Sequence, residues 1–234
     1  MGRLSEIIKH PTYQVTLPTT QKPVTIRPWT YKEEVILLIA KESDLIKDKI
    51  LAIQQIVNNC IVGKAPKSLP IVDTDYLFLK IREKSVGAII PVQVIVNNKQ
   101  YKAQVNLSEL AVKVDPNHKS SINLDENTIC TMNYLSYNDT LLAVDAATPE
   151  FKDKASYDAI KKSINLIVTP SNTYTFKDYS PEEQEEFLQS LRSEQLDKLK
   201  TFFITQPKLI YNIQYEAEDG TIRNHEVDKI KDFF

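Results

Sequence analysis

The sequence contains few of the residues on which common cofactor and nucleotide sites depend. Among 234 residues there are four glycines, three histidines, two cysteines and one tryptophan. No two glycines lie close together, which excludes a glycine-rich dinucleotide loop. A Walker loop is excluded as well, because Gly63-Lys64 is followed by Ala65 where a magnesium-binding Ser or Thr is required.

Catalytic and metal-binding patterns are also missing. His10, His118 and His225 are isolated and belong to no His-Glu-x-x-His motif, so the sequence predicts no zinc site. The carboxylate pairs Asp73/Asp75 and Asp125/Glu126 lie at predicted turns or helix starts, where carboxylates accept hydrogen bonds from backbone N–H groups. We therefore expect no enzyme, no cofactor and no metal.

The two cysteines, Cys60 and Cys130, are too few for a disulfide framework. Each stands beside branched apolar residues in a predicted helix or strand. Both are therefore predicted to be small buried hydrophobic residues.

Charge and hydropathy exclude further classes of partner. The net charge of −2 provides no long-range attraction to nucleic acid or to an anionic membrane. No apolar run approaches the roughly 20 residues of a membrane span, and the start MGRLSEIIKHP has no signal-peptide centre. Glu6 stands where myristoylation requires Ser or Thr. The expectation is a cytosolic product without membrane, nucleic-acid or small-molecule partners.

Residues 75–110 predict a helix, a β-hairpin and a short closing turn. Apolar and charged residues alternate at helical spacing over 76–84, and Gly87 suits a left-handed helix end. The β-branched run that follows returns through Tyr101 after Asn97-Asn98-Lys99, which tolerates a tight turn.

The same order of elements recurs at the C-terminus. A helix over 193–205 ends before Pro207, strands follow over 209–215 and 222–227, and 228–234 are predicted to close with a helical turn. The sequence thus predicts two pseudo-symmetric helix–hairpin–turn units.

The remaining chain supports an α+β fold with several hairpins. The predicted elements are a hairpin over 12–28, a capped and deeply buried helix from Thr30, a helix from Ser43 to Cys60, three strands between 111 and 134, a helix carrying Tyr157, Ile160, Ile164 and Ile167, and a helix from Pro181. The expected division is 1–134 and 135–234, although one continuous domain remains compatible with the pattern. Hairpin edges are the expected working surfaces, because their unpaired N–H and C=O groups must be covered or offered to partners.

The order of several sequence stretches along the whole chain resembles that of one protein family. The stretches TYQVTLPTTQKPVTIRPWTYKEEVILLIAKES, IVNNCI, LPIVDTDYLFLKIREKSVG, VNLSELAVKV, YSPEEQEEFLQSLRSEQLDKLKTFF and KIKDFF resemble the baseplate hub and hub-assembly proteins of T-even-type contractile-tailed bacteriophages. The resemblance is weakest over 134–173. It implies metal-binding Cys-x-x-Cys pairs at the hairpin tips, as in zinc ribbons. This sequence has no cysteine at either tip, so we expect the turns alone to hold the hairpins.

What the resemblance implies is a non-enzymatic structural or assembly component of the central hub. Such a protein would lie in the virion tail baseplate after assembly in the host bacterial cytoplasm, with other hub or tail proteins as partners. Two alternatives stay open: a transient hub-assembly chaperone absent from the mature virion, and a nucleic-acid-binding module derived from a zinc ribbon. Aromatic and hairpin-tip residues are the candidate partner contacts, namely Trp29, Asn97, Asn98, Lys99, Tyr101, Tyr211, Tyr215, Asp219, Phe233 and Phe234.

Overall fold

The computed structural model describes residues 8–96, 99–144, 152–217 and 220–227. These parts combine helices with antiparallel sheets, which confirms the predicted α+β class. The helices are α1 Tyr31–Glu42, α2 Ile46–Cys60, α3 Ile71–Val86, α4 Tyr137–Val144, α5 Lys152–Ser163, α6 Pro181–Ser190 and α7 Ser193–Thr205. The strands are β1 Tyr13–Thr16, β2 Pro23–Ile26, β3 Ile89–Val96, β4 Lys99–Asn106, β5 Ala111–Lys113, β6 Ser121–Asn123, β7 Ile129–Met132, β8 Ile164–Val168, β9 Thr173–Thr175, β10 Lys208–Glu216 and β11 Ile222–Val227.

The chain divides into two compact units, and the N- and C-terminal parts share one of them. The first unit comprises residues 1–113 and 208–234, and the second comprises 114–207. This division differs from the sequence prediction of 1–134 and 135–234. The reason is that β10 and β11 join the N-terminal strands, so the last part of the first unit comes from the far end of the chain.

Both predicted hairpins are present, but they form a single sheet. Its strand order is β11-β10-β4-β3, and β5 extends it by pairing with β10. The join is made where Ile213 pairs with Val105 and Tyr215 with Ala103. The predicted second helix–hairpin unit is therefore divided, because its hairpin belongs to the first compact unit and its helix, α7, to the second.

The core of the first unit lies between this sheet, α2, α3 and the β1–β2 hairpin. Ile26, Ile56 and Leu77 are fully buried in it, and Cys60 is as well. Helix α3 ends at Gly87, whose φ of 102° lies in the left-handed region that favours glycine, as predicted.

The prediction that α1 is deeply buried is wrong. Ile36 and Leu37 pack against the core, but Leu38 and Ile39 on the opposite side are 54% and 65% exposed. A helix that is apolar all round is usually buried. Here the fold covers only one face of α1 and leaves its second apolar face on the surface.

The second unit has its own sheet, of order β6-β7-β8-β9, and its own core. Leu199 and Phe202 of α7 are buried there with Ile160 and Ile164. The helix predicted to continue through Ile167 ends at Ser163 instead. Residues 164–168 form β8 because this β-branched run pairs with β7.

Several predictions fall on residues outside the described ranges, including the tight turns at 97–98 and 218–219 and the closing turn over 228–234. Across the described ranges, no helix is long and apolar enough to cross a membrane.

Candidate functional site

Trp29 joins two elements of the first unit. Its ring is half-buried, with its centroid 6.3 Å from that of Phe78 in α3. Its backbone N–H donates to the hydroxyl of Ser85, 2.9 Å away. Trp29 therefore fastens the β2–α1 connection to α3, and only part of its ring remains available to a partner.

Two of the other aromatic candidates are core residues. Tyr211 and Tyr215 are 6% and 8% exposed, and the Tyr101 ring packs on that of Tyr215 with centroids 5.1 Å apart. Burial, with a contribution from Asp75, raises the pKa of Tyr211. Side chains alternate along a strand, and the odd-numbered residues of β10 point into the core. Tyr211 and Tyr215 thus stabilise the fold and leave little surface for contact.

Of the predicted hairpin-tip contacts, Lys99 is exposed at the start of β4. Asn97, Asn98, Asp219, Phe233 and Phe234 lie outside the described residues.

The inner edges of the hairpins are not available for partners, because β4 and β10 pair with each other. The outer edge of β3 carries Pro91 opposite Gln104. Ala88 accepts a hydrogen bond from the N–H of Leu107, and in an antiparallel pair only every second residue directs its backbone N–H and C=O groups to the partner strand. Pro91 is three residues from Ala88, so its nitrogen faces the open edge. A proline there leaves the β3–β4 ladder intact but interrupts the donors that an added strand would need.

The outer face of the sheet carries a shallow groove of about 740 Å³. Polar side chains line it together with apolar ones, and the polar ones are Gln93, Lys102, Gln104, Gln214 and Glu216. These are the outward positions of three adjacent strands. The alternating sequence of each strand marks them, but only the β4–β10 pairing brings them together.

An apolar surface lies on α1, and sequence reasoning missed it. Tyr31, Val35, Leu38 and Ile39 follow the i, i+4, i+7, i+8 spacing of one helix face, and we call them the α1 stripe. Tyr31 is 78% exposed, and Val35 is half-buried. Leu45 and Ile46, where α1 gives way to α2, are exposed too. Contiguous apolar surface of this kind marks an interaction site more often than a chance exposure.

A buried ion pair fixes the start of α1. The carboxylate of Glu33 is 1% exposed and accepts from both terminal nitrogens of Arg27, at 3.2 and 3.3 Å. It also accepts from the N–H of Thr30 at 2.9 Å, as the predicted capping interaction requires, and from the Thr30 hydroxyl at 2.7 Å. Burial opposes ionisation, but the hydrogen bonds from Arg27 and Thr30 outweigh it and lower the pKa of Glu33 to about 2.

A second buried carboxylate, Asp73, anchors the loop of the first hairpin. It accepts from the backbone N–H of Thr19 at 2.9 Å and from the Thr19 hydroxyl. Burial raises the pKa of Asp73, while these two hydrogen bonds act in the opposite direction. The prediction that Asp73 caps its own helix is therefore wrong: α3 begins before it, at Ile71, and Asp73 binds the backbone N–H of another segment instead.

The second unit contains an aromatic cluster around His118. The hydroxyl of Thr205 donates to the carbonyl of Thr201, so it accepts from Nδ1–H of His118 at 2.9 Å. Nε2 then faces the Tyr134 hydroxyl at 2.7 Å, and the His118 ring packs against Phe202 at 5.1 Å. Burial lowers the pKa of His118, partly offset by Asp115. This neutral imidazole holds the chain before β6 against α7.

The described residues hold no metal-binding group of three or more His, Cys, Asp and Glu side chains. Cys60 and Cys130 are buried as predicted, and burial raises their pKa values to about 11 and about 12. Thiols held protonated in this way are poor nucleophiles.

Comparison with known proteins gives one match. A family model described as "T4 bacteriophage base plate protein" matches residues 10–234. No curated protein and no solved structure matches the chain significantly. The match extends over both compact units.

Proposed function

Since this chain belongs to the T4 bacteriophage base plate protein family, we propose that it is a non-enzymatic structural component of the central hub of the baseplate. In this role it binds other hub or tail proteins and remains in the mature virion. Assembly takes place in the cytoplasm of the host bacterium.

The observation that carries this proposal is the family match over nearly the whole chain. The resemblance of the ordered stretches from TYQVTLPTT to KIKDFF to hub and hub-assembly proteins is what supports proposing the hub as the location. The chemistry of the described residues is compatible with a purely structural role. The buried carboxylates of Glu33 and Asp73 are both occupied by hydrogen bonds that hold the fold together.

Surface properties support action through protein contacts. The α1 stripe offers apolar surface, and the groove on the outer face of the sheet offers polar side chains beside apolar ones. Protein interfaces typically combine an apolar centre with polar groups that fix specificity.

Quantitative mass spectrometry of purified virions tests the proposal. We expect peptides of this chain at a constant ratio to a known tail-tube protein across repeated density-gradient purifications. A chain that is abundant in infected cells and in baseplate intermediates, but absent from finished virions, would refute the structural role and establish the assembly-chaperone alternative.

Nucleic-acid binding is the competing class. A net charge of −2 does not favour it. An electrophoretic mobility shift at low salt separates the two functions. Tight binding that weakens steeply with added salt would contradict a purely protein-binding role.

A further inference from the structure

The charges beside the α1 stripe are arranged in a way that specifies a partner. Tyr31, Val35, Leu38 and Glu42 follow the alternating four- and three-residue spacing of a coiled-coil seam. Glu34 and Lys41 are seven residues apart, so they lie on the same side of that seam. Both are exposed, and neither makes an ion pair with another described residue.

Because this flank carries opposite charges at its two ends, it is electrostatically complementary to the same flank of a second copy. A two-fold axis across the middle of α1 brings a second copy of the helix alongside in antiparallel orientation. Glu34 of each copy then lies level with Lys41 of the other, so the pair forms twice. In a parallel arrangement this flank would face the opposite flank of the other copy. Glu34 would then lie beside the uncharged Ile39, and no ion pair would form there.

We propose that the α1 stripe is the interface between two copies of this chain, packed antiparallel and joined by two Glu34–Lys41 ion pairs. An isologous contact of this kind closes on itself and produces a dimer rather than a filament. The inference is independent of the hub assignment, because it rests only on α1 and its flanking charges.

The length of α1 sets the expected affinity. Its 12 residues span roughly 18 Å, and the exposed Leu45 and Ile46 extend the apolar surface beyond its C-terminal end. The area that a helix of this length can bury is small compared with the roughly 800 Å² per partner of a standard interface. We therefore expect a reversible dimer with a Kd on the order of micromolar.

Sedimentation velocity of the full chain across a concentration series tests the interface. Leu38→Asp should raise the dimer Kd by at least about a hundredfold, because it places a charge at the centre of the apolar contact. Ile204→Asp is the matched control, since Ile204 is also an exposed apolar residue on a helix, 67% exposed on α7. It should leave the Kd unchanged. Circular dichroism checks that both variants remain folded.

Charge reversal tests the orientation. Glu34→Lys and Lys41→Glu each place like charges opposite one another and should weaken the dimer about tenfold. The double variant restores both pairs and should return the Kd to within about twofold of the original. A monomer at every concentration, a dimer insensitive to Leu38→Asp, or a double variant no tighter than the single ones would overturn the proposal.

Discussion

Replacing Glu33 by Gln perturbs a buried carboxylate that accepts four hydrogen bonds. The substitution keeps the shape but removes the charge that Arg27 pairs with, while Arg27 retains its hydrogen bonds to the carbonyls of Pro28 and Asn59, both at 2.9 Å. A pKa of about 2 in place of 4.5 corresponds to roughly 3 kcal/mol at about 1.36 kcal/mol per pKa unit. This agrees with the roughly 3–5 kcal/mol that breaking a buried ion pair costs.

The same pKa gives the pH dependence and its sign. The pKa of Glu33 is lower in the folded chain than in the unfolded one, so the stabilisation is present above pH 4.5 and is lost as the pH falls from there towards 2. At pH 3 roughly 2 kcal/mol of it is gone. The difference in unfolding free energy between the original chain and Glu33→Gln should therefore shrink from about 3 kcal/mol at pH 7 to about 1 at pH 3.

Urea unfolding followed by tryptophan fluorescence measures this difference. Trp29 is the only tryptophan and lies two residues from Arg27, so its emission reports on the first unit. Asp44→Asn is the matched control, because Asp44 is an exposed carboxylate of the same unit, and it should change the unfolding free energy by less than about 0.5 kcal/mol. A Glu33→Gln effect that is equally small, or that is the same at pH 7 and pH 3, would refute the reasoning.

Two further predictions concern the other buried polar contacts. Thr19→Val leaves the buried carboxylate of Asp73 without one of its hydrogen-bond donors, so it should lower the unfolding free energy of the first unit by about 1–3 kcal/mol in the same fluorescence assay. Thr20→Val is the control and should have little effect. Equal effects of the two substitutions would contradict the anchoring role of Asp73. Because the pKa of His118 is lowered on folding, the second unit should lose stability as the pH falls from about 6.5 towards the folded pKa. His118→Gln should abolish this dependence in hydrogen exchange of β7 and α7, and a variant with an unchanged pH profile would exclude His118 as its source.

Local elements of this fold were predictable because their signals are local. The bounds of α7 are those predicted, since Pro207 cannot continue the helix. The end of α3 at Gly87 was predictable for a similar reason, because the required φ of 102° favours a residue without Cβ.

The pairing of β4 with β10 had no such signal. Val105 and Ile213 are far apart in sequence, and each hairpin taken alone is an acceptable structure. Nothing in their local pattern distinguishes an inner edge that is covered by the other hairpin from one that is left open. The division of the chain into two units follows from this pairing, so it was not predictable either.

Burial was harder to predict than secondary structure. The apolar residues of α1 indicate only that both faces avoid water, and a partner protein covers a face as well as a core does. The aromatic residues of β10 show the same ambiguity. Strand alternation places Tyr211 and Tyr215 on one face, but only the sheet pairing determines that this face is the inner one.

A cryo-EM reconstruction of the phage tail tests the central proposal most directly. We expect density for this chain at the central hub, in contact with other tail proteins. A reconstruction in which every hub protein is identified and this chain is absent, or is found only at the periphery of the baseplate, would contradict it.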